Sequence, residues 1–168
     1  MKATALLSAL LLAAPLTFAQ TAAPALTTAP AAALTVDHLT QKDLLDLAAS
    51  LREKAKGPSG SASVKLKEYP NHFTMIALRD QDGGAEIHQF NADFFFVVSG
   101  SATLVTGGSV IDSKSTHPGE ITGTSIEGGT RTELAPGDFV HIPATLPHQL
   151  LLKKGGPCVY YVIKVKEK

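Results

Sequence analysis

The sequence predicts an all-β domain, built as a sandwich or closed barrel, with one helix in front of it. The first observation is a change in residue pattern from Ala62 onward, where short segments rich in Val, Ile, Phe, Tyr and Thr alternate with Gly, Pro, Asp and Asn. The second is that one stretch near Thr40 repeats apolar residues at helical spacing, and no second one does so convincingly. The third is size, since 168 residues, 44% of them hydrophobic, suffice for one domain with a core.

Residues 1–19 predict a signal peptide that is cleaved before Gln20. Lys2 supplies the positive start, Ala5 to Ala14 the apolar core, and Ala19 the small residue at the cleavage site. A membrane anchor is the alternative, but a span needs about 20 apolar residues, and this core has roughly half of that. The sequence therefore predicts a periplasmic or secreted protein with no stable membrane insertion.

A spacer and then a helix are expected next. Residues 20–36 are rich in Ala, Pro and Thr and show no periodicity, which is typical of a flexible spacer. The helix is predicted within 37–57, with Thr40 as its cap and Asp43 completing a capping box. Its apolar stripe consists of Leu44, Leu47, Ala48, Leu51 and Ala55. One helix of about 15 residues is not stable alone, so it must pack on the β-domain or on a partner chain.

The β-domain is predicted to cover 62–168. Its expected strands are 63–69, 72–79, 85–89, 94–98, 102–106, 109–112, 121–126, 131–134, 138–142, 148–153 and 158–165. Gly pairs bracket the segment 107–130, which indicates an additional hairpin near the mouth of the domain, where ligand selectivity usually lies.

Apolar surface is expected to exceed what one small domain buries. The pattern predicts that the run Phe94-Phe95-Phe96 is buried on both faces of its strand, and the helix adds a further apolar stripe. Such a surplus favours a homodimer.

Charge and cysteine content narrow the functional classes. Fifteen basic and fifteen acidic residues cancel, and there is no Trp, so neither a nucleic-acid partner nor a base-stacking platform is indicated. We expect a small-molecule ligand or substrate. The single cysteine, Cys158, excludes an intramolecular disulfide and lies in an apolar run, where it is expected to pack as a small hydrophobic residue.

Two motifs resemble those of the cupin superfamily. Glu86-Ile87-His88, four residues, Asp93, six residues and Gly100 is similar to the first cupin motif, a His-x-His pair followed by Glu and Gly. Gly137, five residues, Pro143 and then His148 is similar to the second motif. The likeness extends from about Ala62 to Val165, and it implies a cupin-type jelly-roll β-barrel.

The resemblance also implies a metal site. Carried over by position, the cupin metal ligands would be Glu86, His88, Asp93 and His148. Residues two apart on a strand point to the same face, so Glu86 and His88 can both enter the barrel. Two imidazoles with two carboxylates suit a divalent Mn, Fe or Zn ion.

The motifs also depart from the family pattern. Glu86 replaces the first histidine and Asp93 replaces the glutamate with a shorter side chain, while Thr145 and Leu152 replace a glycine and an asparagine. The alternative interpretation is that the pocket has lost its metal, so that these polar side chains bind each other or water.

Two functional classes follow. One is a metal-dependent oxygenase, isomerase or lyase acting on a small polar molecule, in which Glu86 could be the general base if it is not a tight ligand. The other is a non-catalytic module that binds a small ligand. The fold alone does not distinguish these two classes.

Arg79 ends a strand, where it is either a surface residue or a group that holds an anionic substrate. His141 is expected at the surface or hydrogen-bonded, rather than as a fifth ligand.

Overall fold

The computed structural model describes residues 36–152 and 156–167. The predicted signal peptide and almost all of the predicted spacer lie outside the described residues. Within them there are one helix and thirteen strands. The elements are α1 (Gln41–Ala55), β1 (Ser61–Glu68), β2 (His72–Arg79), β3 (Ala85–His88), β4 (Asn91–Ser99), β5 (Ala102–Thr106), β6 (Ser109–Ile111), β7 (Lys114–His117), β8 (Glu120–Gly123), β9 (Ser125–Glu127), β10 (Thr130–Leu134), β11 (Phe139–Ile142), β12 (His148–Leu152) and β13 (Cys158–Lys166).

Two antiparallel sheets face each other. The first has the strand order β1-β2-β13-β4-β11 and the second β10-β5-β12-β3-β8-β7, while β6 and β9 pair separately. The core between them contains Phe95 and Tyr160 from the first sheet with Leu104 and Leu150 from the second. The predicted all-β class with one helix is therefore confirmed.

The helix packs on the outer face of the first sheet. Buried Leu44, Ala48, Leu51 and Ala55 contact a cluster that includes Ile76, Leu78 and Val159. The Thr40 side chain accepts a hydrogen bond from the Asp43 amide, and Asp43 accepts one from the Thr40 amide, so the predicted capping box is present. Because Thr40 is extended, at φ −78° and ψ 163°, the helix begins at Gln41, directly after the predicted cap and inside the predicted range 37–57.

Alternation along β2 and β13 separates the helix from the interior. Ile76 and Leu78 face α1, whereas Met75, Ala77 and Arg79 point between the sheets. On β13 it is Tyr160, Val162 and Lys164 that point between the sheets. The period of two thus places charged residues of both strands inside the barrel.

The predicted strand 121–126 is wrong, because the chain changes partners within it. Glu120–Gly123 pairs with β3 and β7, whereas Ser125–Glu127 pairs with β6. A Cβ atom on Gly123 would collide with the Val110 side chain and the Ile111 carbonyl, so the absence of a side chain lets the two hairpins meet. The strand β7 was not predicted, since Lys114–His117 is polar and exposed.

The start predicted for the fourth strand, at residue 94, is also wrong. Asn91 already pairs with Lys166 at the start of β4, and the bend comes earlier, at Gln89-Phe90. The run Phe94-Phe95-Phe96 is not buried on both faces: Phe95 is buried, whereas Phe96 is 39% exposed. The reason is that α1 contacts the outer face of β4 at Val98, and that contact leaves the position of Phe96 open.

Candidate metal centre

Three strands bring the predicted ligands together. Glu86 and His88 lie two residues apart on β3, and His148, the first residue of β12, pairs directly with Glu86. Asp93 comes from β4 in the facing sheet. His88, Asp93 and His148 are buried, while Glu86 is half-exposed and lines the cavity.

The ligand atoms converge on one point. One ligand atom each from Glu86, His88 and His148 lie within 4.8 Å of one another. Glu86 Oε2 is 3.5 Å from His88 Nε2 and 3.9 Å from His148 Nε2. Asp93 Oδ2 is 3.4 Å and 3.7 Å from the same two nitrogens. The four predicted side chains are therefore neighbours in the fold.

Each imidazole is oriented through its other nitrogen. The His148 Nδ1–H donates to the carbonyl oxygen of Leu146 at 3.1 Å, and the His88 Nδ1–H donates to Glu120 Oε2 at 2.5 Å. Both Nε2 atoms are buried and have no hydrogen-bond partner. Metal-bound histidines usually have this arrangement, because a bond at one nitrogen leaves the lone pair of the other free for the ion.

Glu120 is the site residue that sequence reasoning missed. It opens β8, where it pairs in register with His88 across the sheet. It lies 32 residues away from His88 in the chain, directly before the predicted strand 121–126. No local signal indicates this contact, since it depends on the β3–β8 register.

Asp93 has a second partner that the sequence did not indicate. The Lys164 ammonium lies 2.7 Å from Oδ1 and 2.9 Å from Oδ2 of Asp93, and the two residues are register partners on β13 and β4. The charge of Asp93 is thus already balanced. Among the described residues, the group whose ligand atoms all lie within 4.8 Å consists of Glu86, His88 and His148, without Asp93.

The electrostatics of the cluster place one proton on His88. Burial alone would lower the pKa of His88, but the carboxylates of Asp93 and Glu86 outweigh it and raise this pKa from 6.5 to about 10. Burial raises the pKa of Asp93, but His88 and Lys164 bring it below its ordinary value. The pKa of His148 is lowered, chiefly by burial. At neutral pH the metal-free cluster therefore combines ionised carboxylates, a cationic His88 and a neutral His148.

The residues fit a divalent ion. Two ligand atoms bound to one ion at about 2.1 Å lie about 3.0 Å apart at octahedral angles and about 3.4 Å apart at tetrahedral ones. The distances of 3.4 to 3.9 Å between the imidazole nitrogens and the two carboxylate oxygens need only a small contraction. The two buried nitrogens without partners are the observation that supports the fit most directly.

The cluster opens into a cavity of about 350 Å³ between the sheets. Glu86, His88 and Asp93 form part of its wall, and Arg79, Tyr160 and Lys164 another part. Small-molecule sites are commonly concave cavities of this kind, and the volume of this cavity is at the small end of their range.

The other singled-out residues lie apart from the ligands or play structural roles. His141 is exposed and stacks on Phe94, with ring centroids 4.3 Å apart. Cys158 is buried, and burial raises the pKa of its thiol to about 11, which suits an inert core residue. Arg79 is not a surface residue, since it lines the cavity.

No protein-family model matches the sequence, and no curated protein matches it. Solved structures do match. A protein with a double-stranded β-helix domain from Klebsiella pneumoniae subsp. pneumoniae aligns over 73% of this chain and 85% of its own, with 12% identity and a TM-score of 0.51. This chain has a double-stranded β-helix fold, in agreement with the jelly-roll barrel that the cupin resemblance implies.

Two other matches to this chain have lower TM-scores. A cupin domain from Schizosaccharomyces pombe aligns over 64% of this chain at 9% identity and a TM-score of 0.48. A recombinant oxalate oxidase in complex with glycolate aligns over 68% of it at 16% identity and a TM-score of 0.49. The chain spans 61% and 55% of the lengths of these two proteins. At such identities the likeness concerns the fold alone.

Proposed function

We propose that this cupin binds a divalent metal ion through Glu86, His88 and His148 and acts on a small polar molecule in the cavity, as an oxygenase, isomerase or lyase. The observation that carries the proposal is the convergence of two buried imidazole Nε2 atoms without partners on the Glu86 carboxylate. Asp93 Oδ2 faces both imidazoles as a fourth ligand, although the Lys164 ammonium donates to both oxygens of this carboxylate.

The donor set favours Fe, Mn or Zn. Two imidazoles and a carboxylate with open positions are typical of non-haem Fe(II) sites, and the same atoms also suit Mn(II) and Zn(II). When bound, such an ion polarises a carbonyl or activates a coordinated water.

Glu86 serves better as a ligand than as a general base. Burial would raise its pKa, but the neighbouring His88 and His148 lower the pKa below its ordinary value. A carboxylate with a lowered pKa is ionised at neutral pH and is a weak proton acceptor. The chemistry of Glu86 therefore matches the donor set described above.

A non-catalytic binding module is the second candidate, and one observation favours it. Lys164 already neutralises Asp93, and a protonated His88 balances Glu86, so the cluster is electrostatically satisfied by its own residues. In that case the cavity would hold a small ligand without a metal.

Metal analysis separates the two candidates. Chelator-treated protein is incubated with Fe(II), Mn(II) or Zn(II), desalted, and assayed for bound metal by elemental analysis. We expect one ion per chain in the wild type and none in His148→Ala. The matched control is His141→Ala, which removes an exposed imidazole outside the site and should retain full metal. A wild-type chain that takes up no metal would leave the binding module as the function.

Open coordination separates a catalytic ion from a structural one. Mn(II)-loaded protein is examined by water-proton relaxation, which detects exchangeable water on the ion. We expect enhanced relaxation, because three or four protein ligands leave positions for water in a six-coordinate site. Relaxation equal to that of Zn(II)-loaded protein would indicate a closed site and would contradict an enzymatic role for the ion.

A further inference from the structure

Arg79 is a cation with an unmet donor inside the barrel. It ends β2, and its Nε–H is buried without an acceptor. No Asp or Glu among the described residues forms an ion pair with its guanidinium. A buried donor without an acceptor is costly, and more so on a charged group. Such a group is explained most simply if an anion binds to it.

The surroundings of Arg79 leave room for its guanidinium. A Cβ atom on Gly83 would lie 2.8 Å from Arg79 Nη1 and 3.0 Å from the Leu150 carbonyl oxygen. A side chain at Gly83 would displace the guanidinium from this position. The guanidinium interacts with the Tyr160 hydroxyl, and both residues line the same cavity.

The guanidinium shares its cavity with the candidate metal ligands. Arg79, Glu86, His88 and Asp93 all line the 350 Å³ cavity. A smaller adjoining cavity of about 20 Å³ is lined by Arg79, Glu86 and His148. A molecule of a few carbon atoms could therefore contact Arg79 at one end and the metal ligands at the other.

The charges of the wall favour an anion. Lys54, Arg79 and Lys164 line the cavity together with two carboxylates, those of Glu86 and Asp93. Lys164 is paired with Asp93, which leaves two cations against one carboxylate. A divalent ion at the cluster would increase this positive excess. The planar fork of an arginine matches a carboxylate through two parallel hydrogen bonds.

We propose that Arg79 is the anchoring residue of an anion subsite, and that the molecule bound in the barrel is a small carboxylic acid. This inference rests on the proposed function for the second contact, with the metal, but the Arg79 contact stands without it. The wall that holds Arg79 consists of β2 and β13, separate from the strand β3 that carries Glu86 and His88.

The test compares succinate with succinamide, an uncharged molecule of nearly the same shape. Both are titrated by ligand-observed NMR into metal-free and metal-loaded protein. We expect succinate to bind saturably in both forms, and succinamide to bind at least about tenfold more weakly. Arg79→Gln should weaken succinate at least about tenfold, whereas Arg131→Gln, an exposed arginine on β10, should leave it unchanged.

Arg79→Lys keeps the charge but loses the fork, so we expect a smaller loss of succinate affinity, about threefold. If Arg79→Gln does not fold, as judged by thermal melting, this variant and the wild-type preference for succinate over succinamide decide the matter. Equal binding of succinate and succinamide by the wild type, or wild-type affinity in the folded Gln variant, would overturn the subsite.

The two proposals can fail separately. Arg79-dependent succinate binding by a chain that takes up no metal would support the subsite and remove the metal centre. The converse result is that the chain takes up metal normally while Arg79→Gln leaves succinate binding unchanged. That result would remove the subsite and keep the metal centre.

Discussion

At the scale of single residues, the orientation of the imidazoles is the feature most closely tied to function. A histidine in a strand can rotate about two bonds, and its ligand nitrogen points correctly only if its other nitrogen is held. Here the Leu146 carbonyl holds His148 and the Glu120 carboxylate holds His88. The second contact also raises the basicity of the ligand, because a carboxylate shares the Nδ1 proton.

Removing Glu120 should therefore weaken metal binding without destroying it. We expect Glu120→Ala to lower the affinity for Zn(II) about 10- to 100-fold, as is usual for carboxylates that support a metal-bound histidine. Competition with a chromophoric chelator measures the affinity. Glu127→Ala, an exposed change in the same inserted segment, is the control. Equal affinities for the two variants would show that Glu120 does not orient His88.

Metal uptake should depend steeply on pH. The pKa of His88 in the metal-free protein is about 10, so the imidazole is protonated at pH 7 to 9 and must lose this proton to bind an ion. His148, whose pKa is lowered, is already neutral and contributes no such dependence in this range.

The sign of this effect is set by competition between proton and metal. Each unit of pH below 10 should lower the apparent affinity about tenfold, so that affinity rises from pH 7 to pH 9 and levels off near 10. Zn(II) added to weakly buffered protein with an indicator dye should release about one proton per ion at pH 8. A flat affinity from pH 7 to 9 would contradict a protonated His88.

At the scale of elements, a short turn and an inserted hairpin shape the site. The turn between β11 and β12 delivers His148 and contains Thr145, which has φ +69°. The Thr145 amide donates to the His88 carbonyl oxygen at 2.8 Å, so the turn is tied to β3. The positive φ explains why the similar cupin motif has glycine at this position: a β-branched residue is strained there.

Thr145→Gly should therefore stabilise the protein. Relief of the left-handed strain is worth about 1 kcal/mol, partly offset by the greater freedom of glycine in the unfolded chain. Thermal melting should show a rise of about 2 to 4 °C. Thr132→Gly, in the exposed strand β10, should lower the melting temperature instead, because glycine weakens a strand that has no such strain. A fall in both variants would mean that the turn is not strained.

At the scale of the whole molecule, the cavity and the outer face of the first sheet have different roles. The cavity lies between the sheets and carries the polar residues. The outer face carries Phe96 on β4 and Phe139 on the edge strand β11, which are register partners. Phe96 is 39% exposed and Phe139 is 60% exposed. Of the apolar surface expected from the sequence, the helix stripe is buried on the sheet, whereas Phe96 is exposed beside Phe139.

We expect this face to mediate a homodimer. Light scattering at tens of micromolar should give twice the mass of the chain, and Phe139→Glu should raise the dissociation constant at least about tenfold. Val64→Glu, at a position that is 39% exposed on the opposite edge strand, should not. A monomeric wild type would contradict the expectation.

Export is a prediction about residues outside the described part of the chain. The charged start, short apolar core and Ala19 predict that the exported protein begins at Gln20. N-terminal sequencing of the protein recovered from the periplasm or medium checks this. An intact Met1 on protein recovered from the cytoplasm would contradict both the cleavage and the compartment.

Within residues 36–152 and 156–167, no helix has the length and hydrophobicity to cross a membrane.

The sequence by itself determined the features that depend on short spacings. The capping box at Thr40, the alternation along β2 and the two residues between Glu86 and His88 are local, so periodicity alone predicted them. The spacing of the cupin motifs also predicted the role of His148, because such motifs reflect which strands lie side by side in the fold. The sequence did not indicate where Glu120 lies, and it misplaced the start of β4. The reason is that short polar strands and bends have weak local preferences.

Only the tertiary structure decided which charges meet across the barrel. The pairing of Lys164 with Asp93, the support of His88 by Glu120 and the unsatisfied Nε–H of Arg79 all depend on register between strands far apart in the chain. A shift of one residue in any of these strands would turn the side chain to the other face of its sheet. The identity of the ligand-type residues is therefore a property of the sequence, whereas their charge balance is a property of the folded barrel.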